Sequence, residues 1–245
     1  MFDICIADLR IRIDNKFEFV KRMCQDYIVL EEEDADLFVF ATAEEIDKER
    51  SASLKVNKKV YPEDYIESIC IYRRLCRKLP SYDAFLFHSA VVEIDGNGYV
   101  IAARSGTGKT THAELWCRYL GAEFVNGDKP ILRFLGSENR QLYACGTPWK
   151  GKEQYGADKI VPIKACLFLK RSEENCISPL LSKDAVILAM QQILIMDEEE
   201  MMLKMMGLLD EMLLKVPCYL LECNISEEAA RMAYSFVKED RKVEN

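Results

Sequence analysis

Histidine is almost absent from the chain. There are two in 245 residues, and the ten cysteines are scattered without a single Cys-x-x-Cys pair. Structural zinc sites are built from such pairs or from clustered Cys and His, so none is expected, and the cysteines read as buried thiols. In a reducing compartment a disulfide framework is not expected either. No apolar run approaches the length needed to cross a bilayer, and the N-terminus lacks a basic leader followed by an apolar block. The expectation is a cytoplasmic protein with no membrane partner. Net positive charge is missing as well: at −8 the chain is a poor candidate for general nucleic-acid binding, which rests on neutralising phosphates.

What is present is the composition of a folded protein, 49% hydrophobic and 30% charged. The length suits one large domain or a domain with an appendage. The favoured division is a small N-terminal α/β module over 1–80 and a nucleotide-binding domain over 81–240. Charge is uneven. Residues 104–171 hold 12 Lys/Arg against 6 Asp/Glu, a local balance of +6 that leaves −14 for the rest. That contrast fits a site for a small polyanion, although solvated charges unrelated to any site produce the same tally.

The stretch 85–116 organises the chain. It reads as a strand carrying His88, a tight turn at Asp95-Gly-Asn-Gly98, a second strand ending at Ala103, the loop Arg104-Ser-Gly-Thr-Gly108, then Lys109-Thr110-Thr111 opening a helix. From Ala103 to Thr110 the spacing is that of a P-loop, with Ala103 in place of the first glycine. Ser105, Gly106, Thr107 and Gly108 can turn successive N–H groups onto phosphate oxygens, and glycine lets the backbone approach closely. Lys109 offers a point charge for the β and γ phosphates, the Thr110 hydroxyl suits Mg²⁺, and Thr111 continues the first helical turn, whose N–H groups have no intrahelical partner. The implied ligands are ATP and Mg²⁺. The plainer alternative is a chance match in a Gly/Ser-rich loop.

Along the chain, 3–13 reads as a strand, 17–27 as a helix, 37–41 as a short strand, 44–51 as a charged helix and 60–79 as a longer helix closed by Pro80. The short turn before the P-loop makes its two strands antiparallel, so the sheet is expected to be mixed. Asp128 ends a strand one helix beyond the P-loop, where a carboxylate for Mg²⁺ belongs; the alternative is an aspartate capping a turn before Pro130. The segment 143–153, with Trp149, Lys150 and Lys152, reads as a loop. The two lysines suit a triphosphate or an anionic acceptor. Trp149 is either a stacking surface or a packed anchor, and Lys129 and Arg133 either flank phosphates or decorate a strand. Further on come a strand at 161–169, helices at 182–194 and 198–214, a strand at 219–221, and a last helix opened by Asn224 with Glu227 before a charged tail.

These residues resemble a known family. His88 on its strand, the hairpin, Ser-Gly-Thr-Gly-Lys-Thr, and Glu123-Phe-Val-Asn-Gly-Asp128 look like the catalytic domain of HPr kinase/phosphorylase, which shares its nucleotide core with phosphoenolpyruvate carboxykinases. The resemblance covers roughly residues 85–171. It implies a mixed-sheet P-loop kinase core, a place near the transferred phosphate for His88, and the duties of base and Mg²⁺ ligand for Asp128. Where that family has two consecutive aspartates this chain has Gly127-Asp128, so both duties fall on one carboxylate or the substrate differs. HPr-kinase-related proteins beside peptide-modification systems look more similar still, which implies a peptide or small-molecule hydroxyl as acceptor, and ring formation in the family implies a possible homo-oligomer. The residues read by themselves leave two classes open: an ATP-dependent phosphotransferase with Asp128 and Lys109 as catalytic groups, or a nucleotide-sensing module without turnover; His88 reads alone as a satisfied core histidine and joins the catalytic groups through the resemblance.

Overall fold

The computed structural model describes residues 1–31, 33–57 and 60–239; the expected charged tail at 240–245 lies outside them. The chain divides into two compact units, Met1–Leu79 and Pro80–Asn245.

The first unit begins with β1 (Phe2–Ile6) and β2 (Leu9–Asp14), paired antiparallel through the two-residue turn Ala7-Asp8. The sequence reading expected one strand here. The turn is hidden from it because both residues adopt positive φ, 55° and 54°, without a glycine to mark the place. The sheet is completed by β3 (Ile28–Val29) on β1 and β4 (Leu37–Phe40), which lies parallel to β2. Three helices follow the chain: α1 (Glu18–Met23), shorter than expected because it passes into a 3-10 turn at Gln25–Tyr27, α2 (Ala43–Asn57) and α3 (Glu63–Lys78). α1 has no side-chain cap of its own. Buried Glu67 of α3 supplies one, accepting from the Lys16 and Phe17 N–H groups at 2.6 and 3.0 Å.

The second unit is built on one mixed sheet of nine strands. β6 (Ser89–Ile94) and β7 (Asn97–Ala102) form the expected hairpin through Asp95-Gly96, both at positive φ. β7 then runs parallel to the long β11 (Ile160–Arg171), whose other side carries β13 (Cys218–Cys223), also parallel. β8 (Glu123–Asn126) pairs with β6, and β12 (Cys176–Pro179) with β13, both antiparallel. The first half of β11 departs from this group to pair with β10 (Gln141–Cys145), followed by β9 (Ile131–Leu135) and β5 (Ala84–Leu86). Two strand assignments therefore differ from the sequence reading. The strand before the hairpin breaks at Phe87-His88 rather than running through His88, and 143–145 belongs to β10, so the loop begins at Gly146.

Each face of the sheet carries a helical layer. α4 (Lys109–Leu120) and α7 (Glu227–Lys238) close a core that includes Tyr99, Trp116, Leu167 and Leu221, while α5 (Ser182–Met190) and α6 (Glu199–Lys215) close another around Phe85, Phe168, Met205 and Met212. The methionine stripe of α6 is thus partly core. Ser226, not Asn224, caps α7: its hydroxyl accepts the Ala229 N–H at 3.1 Å.

Beneath α4, Trp116 donates its indole N–H to His112 Nε2 at 3.0 Å, and His112 is 3% exposed. Burial pushes this imidazole down to about 4 from an ordinary 6.5. The unfolded chain therefore takes up a proton that the folded chain refuses, and stability falls as pH drops below 6.5 toward 4. Between pH 7 and 4.5 this group should remove about 2.5 kcal/mol of unfolding free energy. Urea titrations of wild-type and His112→Gln protein at the two pH values check this: the wild type should lose that much more than the variant, and equal losses contradict it.

Candidate functional site

The segment whose spacing reads as a P-loop leaves the end of β7 at Ala103 and enters α4 at Lys109. Gly106 and Gly108 sit at φ +78° and +117°, conformations that a side chain would strain, and nothing lies within 4 Å of the side where their Cβ atoms would be. α4 has no side-chain cap; its ladder starts with His112 N–H on the Gly108 carbonyl at 2.9 Å. The N–H groups of Lys109, Thr110 and Thr111 precede that bond and have no intrahelical acceptor, an arrangement of the kind that favours an anion. Ser105 and Gly106 are exposed, and Thr107, Gly108, Thr110 and Thr111 half-buried.

The loop is braced from outside. Arg171, at the end of β11, donates through Nε to the Thr107 carbonyl at 2.8 Å and through a terminal nitrogen to the Gly106 carbonyl at 2.5 Å. The Gly106 and Thr107 carbonyls are thus held by a guanidinium, and the Thr107 N–H is on the Arg104 carbonyl at 3.2 Å, so the bend of the loop is fixed. Lys109 is 7% exposed and reaches back to the Ala103 carbonyl at 3.0 Å. Burial lowers its pKa and the charge of Asp128 opposes that, leaving it below the usual lysine range.

Asp128 lies between an imidazole and an ammonium group: Oδ1 is 3.3 Å from His88 Nε2 and Oδ2 is 3.2 Å from Lys129 Nζ. Burial pushes its carboxyl up, but the His88 hydrogen bond and the Lys129 charge outweigh this and hold it at about 2. His88 is not a core residue. Its side chain is 30% exposed and its N–H is anchored on the Gln192 carbonyl at 2.8 Å. Gln192, 3% exposed, donates its side-chain amide to the carbonyls of His88 (2.9 Å) and Ala103 (3.1 Å), tying the His88 turn to the root of the P-loop.

The backbone at Asp128 is set by Asn126, which is wholly buried. Its Oδ1 accepts from the N–H groups of Asp128 (2.9 Å) and Lys129 (2.7 Å), and its Nδ2 donates to Thr147 at 3.1 Å. Thr147 in turn donates to the Lys129 carbonyl at 2.8 Å. This closed network fastens the carboxylate's turn to the start of the lysine-bearing loop. That loop sits close. A Cβ on Gly127 would lie 3.2 Å from the Lys150 carbonyl oxygen and from Tyr155 Cβ, and one on Gly151 3.0 Å from Asp128 Cβ. The single carboxylate at 127–128 thus has a packing reason: any side chain at 127 requires residues 150–155 to move by a few tenths of an ångström.

The structure brings His88, Asp128, Lys129 and the backbone of Lys150-Gly151 together, with Lys109 under the charge of Asp128. Lys152 is exposed. Arg133 is committed to the Tyr82 carbonyl at 3.2 Å, and Trp149 is a packed anchor at 7% exposure. The sequence reading overlooked Asn126, Arg171 and Gln192. Asn126 had a signal, since asparagine two residues before a turn aspartate commonly accepts from the backbone there. Arg171 and Gln192 had none, because their partners lie more than 60 residues away.

No family model matches the chain, and no curated protein does. Among solved structures it is similar to the HPr(Ser) kinase/phosphatase from Coxiella burnetii. The identity is 15% and the TM-score 0.37, over 62% of this chain and 88% of that one. The likeness is loose.

The chemistry of the donor set suits a hard divalent cation. The Thr110 hydroxyl and the Asp128 carboxylate are oxygen donors, and no cluster of three or more His, Cys, Asp or Glu able to hold a metal occurs among the described residues. Oxygen donors of this kind are those Mg²⁺ takes when it is carried largely by phosphate oxygens and water rather than by a protein cage.

Proposed function

We propose that the chain is an ATP-dependent phosphotransferase that moves the γ-phosphoryl group to a hydroxyl of a peptide, a protein or a small molecule. The observation that carries this reading is a buried lysine at a free helix N-terminus with an ionised aspartate near enough to act on its charge, itself hydrogen-bonded to a histidine. The loop N–H groups and Lys109 hold the phosphate chain. The acceptor oxygen forms its bond to the γ-phosphorus as the bond to the bridging oxygen breaks and ADP departs, and the hydroxyl proton moves toward Asp128. With a pKa near 2, this carboxylate orients the hydroxyl and stays ionised until late in the step, with His88 next in line for the proton. Mg²⁺, when bound, would neutralise charge on the phosphate oxygens; Thr110 and Asp128 are the residues to hold it.

A second reading, nucleotide sensing without turnover, is favoured by one observation: both Asp128 oxygens are already engaged, by His88 and Lys129. Label transfer from γ-labelled ATP to cell-extract peptides and metabolites separates the two. Wild-type protein should label an acceptor, and Lys109→Ala should reduce labelling by about two orders of magnitude or more. Equal labelling by the variant, or nucleotide binding with no Mg²⁺-dependent ADP release, contradicts the phosphotransferase.

A further inference from the structure

We infer that Gln192 is a positioning residue for phosphate binding: its amide holds the Ala103 carbonyl, so that Lys109 is able to leave that carbonyl for a phosphate group. This rests on the phosphotransferase reading and deepens it, since it says what lets the lysine move. Ala103, 6% exposed, presents its carbonyl at the root of the loop, and two donors share it: Lys109 Nζ at 3.0 Å and the Gln192 side-chain amide at 3.1 Å. A buried carbonyl that loses its partner costs more than an average hydrogen bond contributes. With Lys109 as its single donor, the carbonyl would hold the ammonium group back from any anion. A carbonyl oxygen has two lone pairs, so both donors fit at once, and Gln192 stays when the ammonium turns away.

The amide is fixed independently of the lysine. Just past the end of α5, the Gln192 N–H bonds to the Ala189 carbonyl at 2.9 Å, and the side chain of the preceding Gln191 accepts from Arg104 Nε at 3.0 Å. The Gln192 carbonyl takes the His88 N–H at 2.8 Å, and its amide returns a bond to the His88 carbonyl at 2.9 Å. This reciprocal pair sets the plane of the side chain. Turned the other way, the amide would make one bond, to the Leu188 carbonyl at 3.3 Å, and would face two carbonyl oxygens with its own oxygen, so the orientation with two bonds is the stable one. At 3% exposure the side chain leaves little room for water to take over its task. Its neutrality matters too. A glutamine donates without carrying charge, so it holds the carbonyl beside the ammonium group without repelling it, which an arginine or lysine there would do.

The test is a double-mutant cycle: calorimetric titration of Mg²⁺-ATP into wild-type, Gln192→Met, Lys109→Ala and doubly substituted protein. Methionine keeps the length of glutamine and lacks its donor, and melting curves verify that the variants fold. Gln192→Met should weaken binding at least about fivefold when Lys109 is present, and by less than about twofold when position 109 is alanine, because no lysine then has to leave the carbonyl. Equal losses in the two backgrounds would mean that Gln192 only supports the shape of the loop, and they overturn the proposal, as does no loss in either. Should the methionine protein fail to fold, Gln192→Asn takes its place with the same expected outcome, since its amide falls about 1.5 Å short of the Ala103 carbonyl. Wild-type protein that binds no Mg²⁺-ATP overturns the phosphotransferase reading itself, whereas binding without coupling between 192 and 109 leaves that reading standing and removes this one.

Discussion

Asp128→Asn protein is expected to bind ATP within a few-fold of wild type and to turn over at least about two orders of magnitude more slowly. The substitution keeps the size of the side chain and a hydrogen-bonding oxygen for His88, so the Asn126-fixed turn and the neighbouring loop have no reason to move. What is lost is charge. The amide cannot orient an acceptor hydroxyl for proton removal and is a far weaker donor to a divalent cation. Ground-state binding rests on the loop N–H groups and Lys109, and removing a negative charge beside a triphosphate, if anything, tightens it. Calorimetric binding together with coupled ADP-release kinetics measures both halves of the expectation. Turnover within about tenfold of wild type would mean that Asp128 has no part in the chemistry.

Gly146→Ala should be the most damaging single methyl group in the second unit. A Cβ there would sit 1.8 Å from the Ala157 carbonyl oxygen and 3.0 Å from that of Val125, both backbone atoms that cannot rotate aside. Relief requires pulling the exit of β10 away from residues 156–159, which breaks the Gly146 N–H bond to Lys159 (2.9 Å) and strains that of Ala157 to Val125 (3.2 Å). The cost should be on the order of 4 kcal/mol, lowering the melting temperature by about 10 °C. Gly207 provides the contrast. It lies exposed in α6 with nothing within 4 Å of its would-be Cβ, and Gly207→Ala should stabilise by about 0.5–1 kcal/mol. Scanning calorimetry of the two variants tests the pair; similar melting temperatures would contradict the packing described around Gly146.

The parts of the site written in neighbouring residues were readable from sequence, and the parts written across the fold were not. Asp95-Gly96 announces a hairpin, so an antiparallel strand before the P-loop and a mixed sheet followed directly, and β7 does pair antiparallel with β6 and parallel with β11. The glycines of the loop and the helix behind it were equally local. Arg171 is different: nothing around it distinguishes it from a surface arginine, and its role exists only because β11 ends beside the loop. The interruption at Phe87-His88 was invisible for a related reason. The run 85–94 is apolar enough for one strand, and only the competing pairing of β5 with β9 divides it. The same holds for Ala7-Asp8, where tertiary pairing imposes positive φ on residues that local preference would leave extended. Asn224 looked like the helix cap, yet Ser226 performs that task and Asn224 turns toward the chain after β11.

We propose that the strand-to-helix bend at 103–109 grips a phosphate chain through backbone N–H groups and one buried lysine. Titrating ATP with Mg²⁺ into wild-type and Lys109→Ala protein measures that grip directly. Saturable one-to-one binding, weakened at least about tenfold by the substitution, is the predicted result. No binding to wild type, or the same affinity with and without the lysine, would contradict it.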